Sequence, residues 1–384
     1  MSTPQSAPGF TGRRIRAAVV GTGAIGRGSH LSALTALADE GEVEVVAAVD
    51  VDAAAAEEFC RAGGVPHAYT DLDRMLAEQR PDLVTICTPP TLHREQSVAA
   101  LRAGAWVWCE KPPVPTLADY AAVEAEEGAE SGPYASIVFQ HRFGSGSRQV
   151  RRLLAGGALG RPLVVHCQTT WYRDTAYYAV PWRGRWATEG GGPAMGHGIH
   201  QMDLMLDLLG PWSEVRAMAG RLVHDVETED VSTALVRFAN GALATVVNSV
   251  LSPDEVSRIR IDCERATVEL THLYGHRNAD WRIVPAPDVP GEDVARWQDF
   301  GADVPSGHVE QLRELIASMR AGERPRGSGA DGRTSLELIA ALYKSAFTDR
   351  TVLAGEIGPG DPFFTSMHGD APGWAPAAAR EVSA

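Results

Sequence analysis

Two side chains have the chemistry to move a proton on and off a hydroxyl group. Lys111 stands in Glu110-Lys111-Pro112-Pro113, directly after the apolar run Trp106–Cys109. Of 35 Lys and Arg residues only Lys111 and Lys344 are lysines, in a chain whose arginine bias fits a GC-rich genome. Arginine keeps its proton, whereas lysine can lose one. A cationic Lys111 can polarise a hydroxyl oxygen, and a neutral one can take its proton; the plainer alternative is a surface lysine ending a strand. Lys344 reads as a residue of a surface helix. His200 is the second candidate, because an ordinary imidazole pKa of about 6.5 suits proton exchange near neutrality. A buried structural histidine is its plainer alternative. His197, His200 and Asp203 recur at intervals of three residues, which on one helix spreads them over about a third of its circumference. Asp203 can orient His200 or join a local network. The three together could ligate zinc, but no further ligand cluster accompanies them, and no metal is expected.

These residues need a scaffold, and the glycines supply its first element. The run Ile15–Val20 leads into Gly21-Thr22-Gly23-Ala24-Ile25-Gly26, and a helical pattern follows to Leu37. The first glycine allows a tight turn, the second lets a pyrophosphate approach the backbone, and the third lets helix pack on strand. The amides of the helix start then face the phosphates. Asp50 ends the next strand-like run, Val43–Val49, where a carboxylate accepts from ribose hydroxyls and repels a 2′-phosphate. Val51 and Asp52 follow, with no arginine to welcome that phosphate. NAD is expected, in preference to NADP.

Strand-like and helical segments alternate up to Ser136–Phe139, which implies a parallel, doubly wound sheet. Beyond residue 140 the pattern changes. Val231–Phe238 and Ala242–Val250 alternate at period two around Asn240-Gly241, a hairpin signal. Arg258–Cys263 and Ala266–Leu270 read as another hairpin, and late helices fit His308–Arg320 and Asp331–Phe347. The expected fold class is α/β: a Rossmann dinucleotide-binding domain plus an α+β domain with a large, mostly antiparallel sheet. The expected division is a disordered lead-in over 1–14, the NAD-binding domain over 15–139, a substrate-binding and oligomerisation domain over 140–357, and a tail over 358–384 that is loose or packs as irregular coil.

Composition narrows the partners. The formal charge of −14 over 384 residues disfavours nucleic acid and anionic membrane surfaces. No apolar run approaches the roughly 20 residues that span a bilayer, and the start does not read as a signal peptide. The five cysteines, Cys60, Cys87, Cys109, Cys167 and Cys263, form no CxxC pair, which suits reduced thiols in the cytoplasm.

Three segments, the glycine turn, Cys87-Thr88-Pro89-Pro90-Thr91-Leu92-His93 and Glu110-Lys111-Pro112, together resemble the glucose–fructose oxidoreductase / inositol dehydrogenase / rhizopine-catabolism (Gfo/Idh/MocA) family. Gln140-His141-Arg142-Phe143, Gly190-Gly191-Gly192 with His200 and Asp203, and the Asp331–Val352 pattern extend the resemblance over about Arg16 to Ala354. It implies that Thr88, Pro89, Pro90 and His93 line the cofactor cleft, that Glu110 and Lys111 sit beside the nicotinamide, and that Gln140 lies near its carboxamide. It also implies that His200 is the catalytic histidine and that the protein is a homodimer or homotetramer. Many members carry Asp or Asn four residues before that histidine; here the position is Gly196. His197 could substitute, or the space could admit a larger substrate.

An aromatic and basic stretch precedes the triple glycine: Trp171, Tyr172, Tyr177, Tyr178, Trp182, Arg183, Arg185 and Trp186. Aromatic faces suit the C–H faces of sugar rings, although such a stretch also suits an oligomer contact. Arg142, Trp171, Tyr172, Trp182, Arg183, His197 and His200 are therefore candidate substrate contacts. The expected activity is NAD-dependent interconversion of a secondary ring hydroxyl and a ketone on a sugar, cyclitol or glycoside. Two rivals stand beside it: an enzyme that retains and recycles its NAD during elimination, epimerisation or glycoside cleavage, and a non-catalytic dinucleotide sensor.

Overall fold

The computed structural model describes residues 9–10 and 12–376. Most of the expected lead-in and the last part of the expected tail lie outside the described residues. The chain forms two compact units. The first holds the chain up to Val114, Asp119–Gly144 and Ser306–Arg333; the second holds Pro115–Ala118, Ser145–Pro305 and the chain from Thr334.

Six strands build the first unit: β1 (Ile15–Val20), β2 (Val43–Val49), β3 (His67–Tyr69), β4 (Leu83–Ile86), β5 (Trp106–Cys109) and β6 (Ala135–Ile137). They pair in parallel in the order β3-β2-β1-β4-β5-β6. Strands β4 and β5 are buried at every position, as apolar runs must be when both sheet faces are covered. Chain order reverses between β1 and β4, so the crevice at their carboxyl ends is where such sheets bind ligands. The helix His308–Ala321 also belongs here. Its stripe Leu312, Leu315, Ile316 and Met319 joins one core with Leu34, Leu37 and Phe59. That stripe has helical period, and its burial takes residues 306–333 out of the expected substrate domain.

The second unit has eight strands: β7 (Pro162–Tyr172), β8 (Trp212–Gly220), β9 (Val231–Phe238), β10 (Leu243–Ser249), β11 (Leu251–Cys263), β12 (Ala266–Thr271), β13 (Trp281–Pro285) and β14 (Val352–Leu353). Their order is β13-β12-β11-β7-β10-β9-β8-β14. Every neighbouring pair is antiparallel except β7 with β10. Both expected hairpins form, and Gly241 takes the turn at φ +93°. The helix Ile199–Leu209 is buried at every position but Asp207, its polar His200, Gln201 and Asp203 included.

Two expectations about the chain's end are corrected. Residues 358–376 are not loose: Pro362–Thr365 is helical, Phe363, Met367 and Ala371 are buried, and the Trp374 ring stacks 4.2 Å from Phe347. The Ala, Pro and Gly content hides four widely spaced apolar anchors. Lys344 is not on a surface face either. It is buried, with Nζ 2.8 Å from Glu356 and paired also with Asp361, both supplied by the returning chain. Replacing the anchor, Phe363→Ala, is expected to cost about 3 kcal/mol and to open residues beyond 355 to protease. Thermal melting with limited proteolysis checks this, and a loose tail would leave both unchanged.

Candidate active site

In the first unit the glycine turn crosses the end of β4. At Gly21, φ is +91° and an added Cβ would sit 2.9 Å from the Cys87 carbonyl carbon. At Gly26 it would sit 2.2 Å from the Gly21 oxygen. Neither position tolerates a side chain. At Gly23 an added Cβ meets nothing within 4 Å, which leaves the backbone open to a pyrophosphate. The Arg27 amide bonds the Gly23 oxygen at 2.9 Å, so the helix begins here, with the Ala24 and Ile25 amides in its first turn, where donors lack intrahelical acceptors. It then widens into a π turn over Gly26–Leu31, a feature frequent at functional sites.

Asp50 is tied to this turn. Its Oδ2 accepts from the Thr22 amide at 2.9 Å and the Thr22 hydroxyl at 2.8 Å, and its Oδ1 from the Asp52 amide at 3.1 Å. Partial burial pushes its pKa up, but the hydrogen bonds from Thr22 and its neighbours leave it below the ordinary value. Of the proline turn, Thr88 and Pro90 are half-buried and Pro89 is exposed; Thr88 donates to Gln96 at 2.6 Å. His93 is wholly buried, with Nε2 2.8 Å from the Thr88 oxygen and Nδ1 3.0 Å from the Pro112 oxygen. It clamps two loops together and cannot line the cleft, contrary to the resemblance. Gln140 is buried, and its Oε1 has no protein partner, an acceptor suited to a carboxamide N–H. The open backbone at Gly23, the acid at Asp50 and this amide fit NAD.

Glu110 lies beneath Lys111. Its Oε1 accepts from His30 Nε2 at 2.9 Å and His308 Nε2 at 3.1 Å, and its Oε2 from the Lys111 amide at 3.1 Å. Burial works against the carboxylate, but the two imidazoles hold its pKa well below the usual range. Among the described residues, His30, Glu110 and His308 are the one group with metal-ligand spacing, their atoms within 4.8 Å of one another. As donors, the two imidazoles already satisfy the carboxylate. Lys111 itself is half-buried at the end of β5. Arg142 is corrected: only 2% exposed, it grips Asp331 with Nη1 at 2.8 and 2.9 Å from the two carboxylate oxygens. A guanidinium so enclosed is a latch within this unit, not a substrate contact.

In the second unit the triple glycine makes room for a buried acid. An added Cβ at Gly192 would lie 2.0 Å from the Glu229 oxygen, and one at Gly191 2.4 Å from the Tyr343 hydroxyl. Glu229 accepts from the Gly192 and Ala194 amides, both at 3.0 Å, and from the Tyr343 hydroxyl at 2.9 Å. It thereby caps a helix that runs as a π turn over Ala194–Gly198 and an α-helix over Ile199–Leu209. His200 and Asp203 are buried, and Asp203 accepts from Ser335 at 2.8 Å. His197 is half-buried and meets Trp171 edge-on with ring centroids 5.0 Å apart, while His200 meets Tyr274 at 5.7 Å. Trp171 and Tyr274 are themselves 5.5 Å apart. The expected helix therefore brings both histidines against aromatic rings.

Of the aromatic stretch, Trp171 and Tyr177 face this cluster, and Arg183 and Trp182 stack beside Tyr177. Tyr172 does not join them. Successive strand residues point to opposite faces, and the burial along β7 alternates so that Tyr172 is exposed where Trp171 is buried. Sequence reasoning missed Tyr274, Glu229, Tyr343, His30 and His308. The last two could have been suspected from a histidine inside the glycine-led helix and another opening a late one. Nothing local marks the others.

A Rossmann sheet with a glycine turn, an acid after β2 and a lysine after β5, followed by a histidine-bearing helix on an antiparallel sheet, defines a dinucleotide-dependent oxidoreductase. Residues 15–131 match the oxidoreductase family with an NAD-binding Rossmann fold, and residues 147–269 match the GFO/IDH/MocA C-terminal domain. The chain belongs to the Gfo/Idh/MocA family and is an NAD-binding oxidoreductase. It is 26% identical to D-glucoside 3-dehydrogenase of Escherichia coli K12 over 89% of this chain and 98% of that one. It is 28% identical to myo-inositol 2-dehydrogenase of Thermotoga maritima over 77% of this chain and 86% of that one. The WlbA dehydrogenase of Chromobacterium violaceum, solved with NADH and UDP-GlcNAcA, superposes with a TM-score of 0.79 at 28% identity over 93% of this chain and 100% of that one. Among the described residues no helix is long and apolar enough to cross a membrane.

Two outcomes are expected from this geometry. Asp50→Ser removes the acceptor and the charge, and should weaken NAD about ten-fold while narrowing the gap to NADP, read by cofactor titration. Burial pushes the Glu229 carboxyl up to about 7, against the pull of the Ala194 amide and the Tyr343 hydroxyl. Because the folded value exceeds the ordinary 4.5, this group's contribution to stability is full below about pH 4.5 and lost as pH rises through about 7. Glu229→Gln should remove that decline from melting temperatures measured between pH 5 and 8.

Proposed function

We propose that the protein interconverts a secondary hydroxyl and a ketone on the ring of a sugar, cyclitol or glycoside. The observation that carries this reading is the pair His197 and His200, held on a buried, capped helix against the rings of Trp171 and Tyr274. Bound NAD supplies the hydride acceptor. The protein must then remove the hydroxyl proton and steady the oxygen as the carbonyl forms. Lys111 has the chemistry to orient and polarise that oxygen, and His200 to accept and return its proton. Asp203, committed to Ser335, steadies the helix, and His197 offers a polar edge to a neighbouring hydroxyl. An added Cβ at Gly196 meets nothing within 4 Å, which leaves room for a substituent on the ring and favours a glycoside over a free sugar.

The dehydrogenase names of the relatives agree with this reaction and give the retained-cofactor and sensor alternatives no support. Five free cysteines suit a reducing cytoplasm. Met218, Leu235 and Leu243 lie exposed on β8, β9 and β10, a surface that suits pairing with a second copy into a homodimer or homotetramer. With NAD and a panel of glycosides, sugars and inositols, NADH should appear at 340 nm. Lys111→Ala and His200→Ala should each slow it by about 10²–10⁴-fold with the melting temperature retained. Product formed without net NADH would instead favour a retained, recycled cofactor.

A further inference from the structure

The arginines beside the histidine helix already hold their counter-ions. Arg173 lies 5.1 Å over Trp171 and 5.3 Å over Tyr177, and its Nη1 reaches Glu255 at 3.0 Å and the Tyr172 oxygen at 2.6 Å. Arg183 lies 3.9 Å over Tyr177 and 4.1 Å over Trp182, and its Nη1 reaches Glu189 at 3.2 Å and the Tyr177 hydroxyl. Tyr177 thus lies against two guanidiniums, each stacked on rings and each paired with a carboxylate. Glu189 is further fixed by the Gly184 amide at 2.5 Å. Arg183 also lines a hollow that holds Arg185 and Arg221 together with Asp225, Glu227 and Trp374.

These contacts set the charge that Arg173 and Arg183 offer a substrate. A guanidinium recognises carboxylate or phosphate through its fork of N–H groups. In Arg173 and Arg183 part of that fork, and the charge, is spent on Glu255 and Glu189. A substrate anion would have to displace the partner, half-buried at Glu189 and exposed at Glu255, and the displaced carboxylate would then repel it. What remains for the ligand is aromatic surface around two imidazoles: apolar ring faces and edges with a few polar groups. The two ion pairs fix the aromatic wall rather than bind a charged group.

We propose that the site takes an uncharged ring, a neutral pyranoside or cyclitol, and discriminates against rings bearing a carboxylate or phosphate. The proposal rests on the ring-oxidation reading above. It departs from the sugar acid in the WlbA dehydrogenase complex.

Calorimetric binding to the NADH-loaded protein tests it without turnover, using methyl glycosides and their matched glycuronides in the gluco, galacto and manno series. Every series that binds should favour the neutral member by roughly ten-fold or more, and Glu189→Gln or Glu255→Gln, checked for retained folding, should narrow that ratio. A glycuronide binding as tightly as its neutral partner would overturn the proposal, as would the absence of binding by all neutral members or an unchanged ratio in both variants. NADH formation, followed separately at 340 nm, distinguishes the two readings: neutral binding without turnover would count against the ring-oxidation reading and leave the selectivity intact.

Discussion

The second unit is organised around one buried carboxylate. Glu229 meets two amides at the start of the histidine helix and the hydroxyl of Tyr343. Helix amides without intrahelical partners need acceptors, and the oxygens of Glu229 supply them. Because the acid comes from the chain just before β9, it ties the helix to the sheet. The glycines follow from this. Side chains at Gly191 or Gly192 would occupy the space of Tyr343 and Glu229, so the triple glycine serves the cap before it serves any ligand. At Gly198 an added Cβ would lie 1.9 Å from Asn248 Oδ1 on β10, so the helix rests directly on the strand. The placement of His197 and His200 follows from backbone approaches that only glycine allows.

The first unit reaches a similar solution by other means. Gly21 and Gly26 let the turn cross the end of β4, and Glu110 is held by His30 and His308 under the backbone of Lys111. A buried carboxylate is costly unless donors surround it. Here one donor comes from the glycine-led helix and another from the helix that returns to the unit after residue 306. The loop carrying Lys111 is therefore fixed by two segments, those of His30 and His308, almost 280 residues apart in sequence. Both candidate catalytic side chains stand on backbone anchored by an acid, and both lead helices contain a π turn.

Local features were legible in the sequence, and long-range ones were not. The glycine turn, Asp50, the parallel strands and the two hairpins each depend on residues within a few positions, and each has its own chemistry of turn or period. The resemblance reached further and correctly indicated the second fold unit. It failed where burial changes a residue's work: His93 has the type of a cleft residue but clamps two loops, and Arg142 has the type of an anion binder but closes on Asp331. Tyr172 was misplaced because composition groups neighbours that strand geometry separates. Glu229, Tyr343 and Tyr274 carried no local signal, since their partners are distant in sequence. The tail's packing was hidden for a related reason: Phe363, Met367 and Trp374 are too sparse to raise its apolar average, but the first two are buried and the third stacks on Phe347.

The same distinction bears on what the arginines mean. A chain with 35 basic residues and two lysines places arginine wherever a cation will do, so the residue type alone says little about ligands. Pairing decides. Arg173 and Arg183 are stacked and neutralised, so they stiffen the wall on which Tyr177 and Trp171 stand, and a rigid aromatic surface loses little conformational entropy when a ring settles on it. To hold an anion, this wall would need at least one guanidinium whose fork faced the ligand rather than a glutamate of its own chain. With an excess of acidic groups over the whole molecule, long-range charge also disfavours anionic substrates. Local pairing and global charge therefore act in the same direction, and shape rather than charge is left to choose among neutral rings.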